Sequence, residues 1–217
     1  MPIFFQHQIN ETTRLGIWKI EETEEFFLSN VPLQKEVTHP HKRLQHLAGR
    51  FLLQFLFPDF PYELIQIADT RKPYLPDERY HFSISHCGDF AAAIVSSHQR
   101  VGIDAEIPSE KVERIRNKFL NEQEILKSQS YGMNIPNPAA SGSNLTTNSE
   151  LLTVMWCAKE CVFKWYGDGR VDFRQHIHLQ AIHDGNETID CFFAKTSQPL
   201  VIHYRWLGQL VMAWVVS

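Results

Sequence analysis

Two carboxylates stand two residues apart in Val101-Gly102-Ile103-Asp104-Ala105-Glu106. This β-branched, apolar segment reads as a strand. Alternate side chains of a strand share a face, so Asp104 and Glu106 point the same way, about 7 Å apart at the backbone. Carboxylates so placed repel unless a cation or water lies between them, and alone such a pair is equally a solvated strand face. A second group lies in Trp156-Cys157-Ala158-Lys159-Glu160-Cys161-Val162-Phe163-Lys164. At helical spacing Trp156, Glu160 and Lys164 fall in one stripe, with Lys159 beside it. A Glu–Lys pair four apart is common surface decoration, worth only a few tenths of a kcal/mol. Joined to Asp104 and Glu106, Glu160 would complete an oxygen-rich set suited to Mg²⁺, which keeps several waters and binds substrate phosphates. Lys159 and Lys164 would then neutralise the remaining phosphate oxygens.

The elements that must position these groups can be read from periodicity. Residues 15–20 form a strand and 21–28 a short helix. Leu44, Leu47, Phe51, Leu52 and Phe55 recur at three- and four-residue spacing, which predicts an amphipathic helix over 39–57, stopped by Pro58. A strand follows around 80–85. Residues 90–97 and 101–107 read as a hairpin joined by His98-Gln99-Arg100. Residues 110–129 are helical in composition, whereas 128–149 are dominated by Ser, Asn, Pro and Gly and read as a flexible loop. Thr147 and Glu150, at capping-box spacing, open a second amphipathic helix running to about 166.

A faint repeat aligns residues 88–97 with 208–217, each copy preceded by a helix. The expected fold is therefore α+β, a pseudo-twofold duplication of two similar halves, each an antiparallel sheet packed against a long helix. The halves would span residues 1–100 and 101–217, with the loop at about 128–149 in the second.

Gly102-Ile103-Asp104-Ala105-Glu106 resembles the G-I-D-x-E motif of 4′-phosphopantetheinyl transferases, and Trp156 to Lys164 resembles their W-x-x-K-E-[SA]-x-x-K motif. Arg71-Lys72-Pro73 is similar to the family's G-K-P, and Phe82-Ser83-Ile84-Ser85-His86-Cys87 to its F-N-x-S-H-S. Four motifs stand in the family's order, and the length and suspected duplication resemble its monomeric, two-half branch. The resemblance implies a Mg²⁺-dependent transfer of the phosphopantetheine arm of coenzyme A to a serine of an acyl or peptidyl carrier protein, releasing 3′,5′-ADP. It implies Asp104, Glu106 and Glu160 as metal ligands, for Mg²⁺ or alternatively Mn²⁺. Glu160 and Lys164 would be catalytic. Lys72, Ser85, His86, Lys159, Lys164 and Arg43 would hold coenzyme A. Glu124 matches an acidic position of the family, and Arg50 lies in a segment resembling R-x-x-x-L-A-G-R; the roles of both are open. Arg71 stands where the family has glycine, so either the turn there is expected to differ or an extra cation to reach the nucleotide.

Bulk properties narrow the alternatives. The chain has 217 residues, 43% hydrophobic and 21% charged, with a formal net charge of −4. That balance argues against a nucleic-acid groove, and no apolar run is long enough for a membrane helix. The start of the chain lacks the pattern of a secretory signal, and four cysteines without a CxxC pair read as reduced core residues of a cytoplasmic protein. Eleven histidines include no set at structural-zinc spacing. The rival readings are another Mg²⁺-dependent phosphodiesterase and a non-catalytic carrier-binding module. The fatty-acid, polyketide and peptide-synthetase pathways are all open as sources of the carrier.

Overall fold

Short apolar and aromatic runs punctuated by turn residues form the strands of the first hundred positions. The structure is a computed structural model that describes residues 3–32, 37–133 and 148–217. β1 (Ile3–Asn10) and β2 (Thr13–Lys19) pair antiparallel. A short helix α1 (Glu24–Leu28) precedes α2 (Pro40–Leu56). Proline suits the first helical position, where its missing N–H costs nothing, and the His39 side chain accepts from Lys42 N at 3.4 Å. Two short strands, β3 (Gln66–Ile67) and β4 (Pro73–Tyr74), form a separate ribbon. β5 (His81–Cys87) and β6 (Phe90–Ser96) complete a sheet of order β1-β2-β6-β5.

The apolar stripe of α2 explains its packing. Leu47, Ala48, Leu52, Leu53 and Leu56 are at most 1% exposed and join Trp18, Phe27, Phe60 and Phe82 in one core. At Gly49 an added Cβ would stand 2.7 Å from Ile84 Cγ2, so helix and strand are too close for any side chain there.

In the remaining chain, β7 (Val101–Glu106) is followed by α3 (Glu110–Phe119), α4 (Glu122–Met133), the long α5 (Asn148–Tyr166) and α6 (Phe173–His176). Then come β8 (Ile177–His183), β9 (Thr188–Phe193), β10 (Gln198–Leu207) and β11 (Leu210–Val216). The sheet order is β7-β11-β10-β9-β8. The architecture is thus α+β, with antiparallel strand pairs and packed helices. By density of contacts one compact unit comprises Met1–Ile103, Lys164–Gly167 and Val216–Ser217, and the other Asp104–Phe163 with Asp168–Val215.

Three expectations are corrected. The segments 90–97 and 101–107 are not a hairpin: β6 pairs with β5 and β2, while β7 lies beside β11 in the other sheet. The actual hairpin is β5–β6, turning through Gly88-Asp89, where Gly88 has φ +53°, the left-handed conformation glycine adopts without a Cβ penalty. Gly208, with φ +63°, turns β10 into β11 in the same way, so both aligned segments of the suspected repeat begin at a left-handed glycine and continue as buried strand. The expected loop at 128–149 begins as helix, because α4 continues to Met133. The Ser128 hydroxyl folds back onto Ile125 O at 2.8 Å, which lets a polar residue sit inside a helix. Residues 134–147, and with them the Thr147 half of the capping box, lie outside the described residues. Finally, α5 is buried around most of its circumference rather than amphipathic: Leu151, Leu152, Val154, Met155, Cys157, Ala158, Lys159, Cys161 and Val162 are at most 3% exposed. A helix apolar all round belongs in a core.

Candidate active site

β7 places Asp104 and Glu106 on one face, Asp104 at 3% exposure and Glu106 half-buried. What stands opposite is revealed by Cys157 of α5. Its buried thiol is held well above the usual range, first by burial, then by the negative charges of Asp104 and Glu106 and a hydrogen bond to Asp104. Glu106 and Trp156 also line one small cavity of about 100 Å³, with Ile107, Val112, Ile115 and Thr153. The Trp156 ring is fixed edge-on to Phe119, centroids 5.1 Å apart, and tilted against Phe173 at 5.8 Å. Glu160 is half-buried and follows Cys157 by three residues and Trp156 by four, the spacing that keeps side chains on one helix face. Helical spacing thus puts Glu160 about 60° round α5 from the thiol that meets the β7 acids.

Among the described residues no three His, Cys, Asp or Glu side chains form a group able to hold a metal ion by themselves. Mg²⁺ does not require such a cage, since it is bound through one or two carboxylates plus substrate phosphates and waters. A deeply buried carboxylate such as Asp104 is stable only when a cation or hydrogen bonds compensate it, and hard oxygen donors are the right chemistry for that ion. The residues present fit it.

The expected phosphate cations divide into separate environments. Lys164 Nζ donates to the Ser85 hydroxyl at 3.0 Å, and Ser85 is 6% exposed. Lys72 Nζ reaches Trp165 O at 3.4 Å, and Thr70 Oγ1 donates to Gly167 O at 3.1 Å. Lys72, Ser85 and Lys164 thus gather within the first compact unit, around the last turn of α5. His86 is exposed and, by strand alternation, emerges from the opposite face of β5 to Ser85. Arg43 is tied to Glu24 through two hydrogen bonds of 2.7 and 2.8 Å and donates to Val37 O at 2.9 Å. Arg50 is 6% exposed, its Nε lacks a hydrogen-bond partner among the described residues, and burial pulls its pKa down.

Lys159 has a different partner set from the one expected. Its side chain is fully buried and donates to Glu124 Oε2 at 2.7 Å, Phe173 O at 2.9 Å and Ile177 O at 2.7 Å. All three ammonium donors are engaged, so in this structure it offers nothing to a phosphate.

Sequence reasoning marks Gly167 as the end of the long helix but not its closeness to Lys72. With φ +77° it ends α5, and an added Cβ would lie 2.5 Å from Lys72 Nζ. The signal was a glycine just past a helix whose last turn carries Lys164, the usual left-handed stop. At Arg71 the φ is +68°: the turn that glycine would make is retained here despite the side chain, at some cost in strain.

The profile of the 4′-phosphopantetheinyl transferase superfamily matches residues 100–215. Enterobactin synthase component D of Salmonella typhi is 30% identical over 170 residues, covering 74% of this chain and 65% of the relative. The protein of that name from Salmonella austin is 32% identical over 130 residues, 58% of this chain and 49% of the relative. The one from Escherichia coli (strain K12) is 41% identical over 66 residues, 30% and 31% of the two chains. The chain therefore spans less than two thirds of the curated relatives it matches.

Proposed function

The chain belongs to the 4′-phosphopantetheinyl transferase superfamily, and from that premise we propose that it transfers the phosphopantetheine arm of coenzyme A to a serine of an acyl or peptidyl carrier protein. The observation that carries the reading is the Cys157 thiol of α5 lying against Asp104 and Glu106, and helical spacing supports Glu160, three residues on, as facing the same side.

In this reading Asp104, Glu106 and Glu160 hold Mg²⁺, with Mn²⁺ as substitute. Such an ion, when bound, supplies charge neutralisation on a pyrophosphate. The chain's own residues do the rest. Lys164 neutralises phosphate oxygens, held ready by Ser85. Lys72 takes the 3′-phosphate end of the nucleotide, and His86 is assigned to the same end by motif. Arg50, a buried cation without an ion-pair partner among the described residues, suits an incoming anion, because a buried charge needs a counter-charge. The carrier serine oxygen attacks the pantetheine-side phosphorus, the bond from that phosphorus to the bridging oxygen breaks, and Glu160 takes the hydroxyl proton. The products are the phosphopantetheinylated serine and 3′,5′-ADP. One chain is taken as the active unit.

The relatives are named as components of enterobactin synthase, so a carrier domain of a multi-component synthase is the first acceptor to try and a fatty-acid carrier the second. A reducing, cytoplasmic setting suits four cysteines that are all free, and no described helix is long and apolar enough to cross a membrane. The test is chromatographic. With coenzyme A and Mg²⁺, 3′,5′-ADP should appear only when an unmodified carrier is added. Release at the same rate without carrier would make the protein a phosphodiesterase instead.

A further inference from the structure

Lys159 and Glu160 are neighbours in sequence, yet the structure gives them opposite surroundings. Besides the three bonds of Lys159, Glu124 accepts from Asn121 N on Oε2 and from Leu179 N on Oε1, both at 2.8 Å. The three bonds from Lys159 therefore clasp α5 to the start of α4 and to the α6–β8 segment, and the two further bonds to Glu124 fix its carboxylate in place. The pair is dry, with side chains 0% and 2% exposed. Burial lowers the Lys159 pKa, while the charge of Glu124 opposes the fall.

Net stability is a weak reason for such a pair, because well-packed apolar residues of equal volume do as well. What fixed donors and acceptors add is a defined rotation of the helix. At about 100° per residue, Lys159 lies some 160° round α5 from Cys157, and Glu160 falls on the arc between them, about 60° from Cys157. Cys157 meets Asp104 on one side of the helix. The clasp grips the other.

We propose that Lys159 and Glu124 are positioning residues: they fix the rotation of α5, and so set where the Glu160 carboxylate stands relative to Asp104 and Glu106, and neither binds substrate. This rests on the reading of those three acids as the divalent-cation site. Loss of the clasp weakens the cation before it affects coenzyme A.

The test needs no turnover. Mn²⁺ binding is followed by electron paramagnetic resonance in the presence of coenzyme A and without carrier, for the wild type, Glu124→Gln, Lys159→Met and a control, Ile189→Ala. Ile189 is a fully buried residue of β9 outside the clasp. The two clasp variants should weaken Mn²⁺ at least tenfold. The control should lose thermal stability yet stay within twofold. Should Lys159→Met fail to fold, the milder Glu124→Gln, which keeps the side-chain shape, decides. A folded Glu124→Gln within twofold of wild type, or a control that shifts as far, overturns the proposal. A wild type that binds no Mn²⁺ overturns the carboxylate reading itself, and the positioning role with it.

Discussion

Glu160 and Lys164 lie one turn apart on α5, and their roles separate by what each can reach. Lys164 is half-buried against Ser85, close enough to an exposed surface to meet an anion yet held in one direction. Replacing it with methionine removes charge without opening a cavity. Transfer should then fall by about 10² in kcat/KM, the usual cost of losing one electrostatic contact to a transferring group, with little change in melting temperature; an unchanged kcat/KM would remove Lys164 from the mechanism. The alignment of Asp104 with Glu106 was legible in the sequence, because a strand alternates its faces whatever packs on it. The difference between Lys159 and Lys164 was not. It depends on which surface each meets, and the acceptors that capture Lys159 come from residues 124, 173 and 177, whose proximity no local pattern announces.

At the scale of elements, the end of α5 has a consequence for substrate binding. Gly167 is closely overlaid by Lys72: an added Cβ would meet its Nζ at 2.5 Å and its Cδ at 2.6 Å. A lysine tip is flexible, so Gly167→Ala should push it aside rather than unfold the helix, with about 1 kcal/mol of added backbone strain at φ +77°. The expected result is a severalfold rise in the KM for coenzyme A that vanishes when Lys72 is already methionine. A double-mutant cycle measures this, and purely additive effects would refute it. Helix α2 was readable nearly to the residue, because its apolar stripe, N-terminal proline and Pro58 stop agree. The partner of β6 was not. Chain proximity favoured β7, but the turn-forming Gly88-Asp89 made β5 the hairpin partner, and β7 paired instead with a strand more than a hundred residues later.

For the whole molecule, the net charge of −4 means that affinity for a polyanionic substrate must come from local cations rather than from an overall basic field. Its buried thiols give stability a predictable alkaline limit. Burial pushes Cys191 from 9.0 up to about 12, so the unfolded chain releases that proton first. The stability linked to it is complete below pH 9 and is lost as pH rises from 9 towards 12, by about 1.4 kcal/mol per pH unit for one group. Denaturant titrations of wild type and Cys191→Ala should diverge in slope over that window and run parallel below it; parallel curves throughout would show that the thiol is not held protonated. The central claim, that three acids from β7 and α5 act together on coenzyme A, is tested most directly by the intact mass of a carrier protein after incubation with coenzyme A and Mg²⁺. Wild type should add one phosphopantetheine, and Glu160→Gln, with its circular dichroism and melting temperature unchanged, should add none in the same time. Modification by Glu160→Gln at a near wild-type rate would contradict the account.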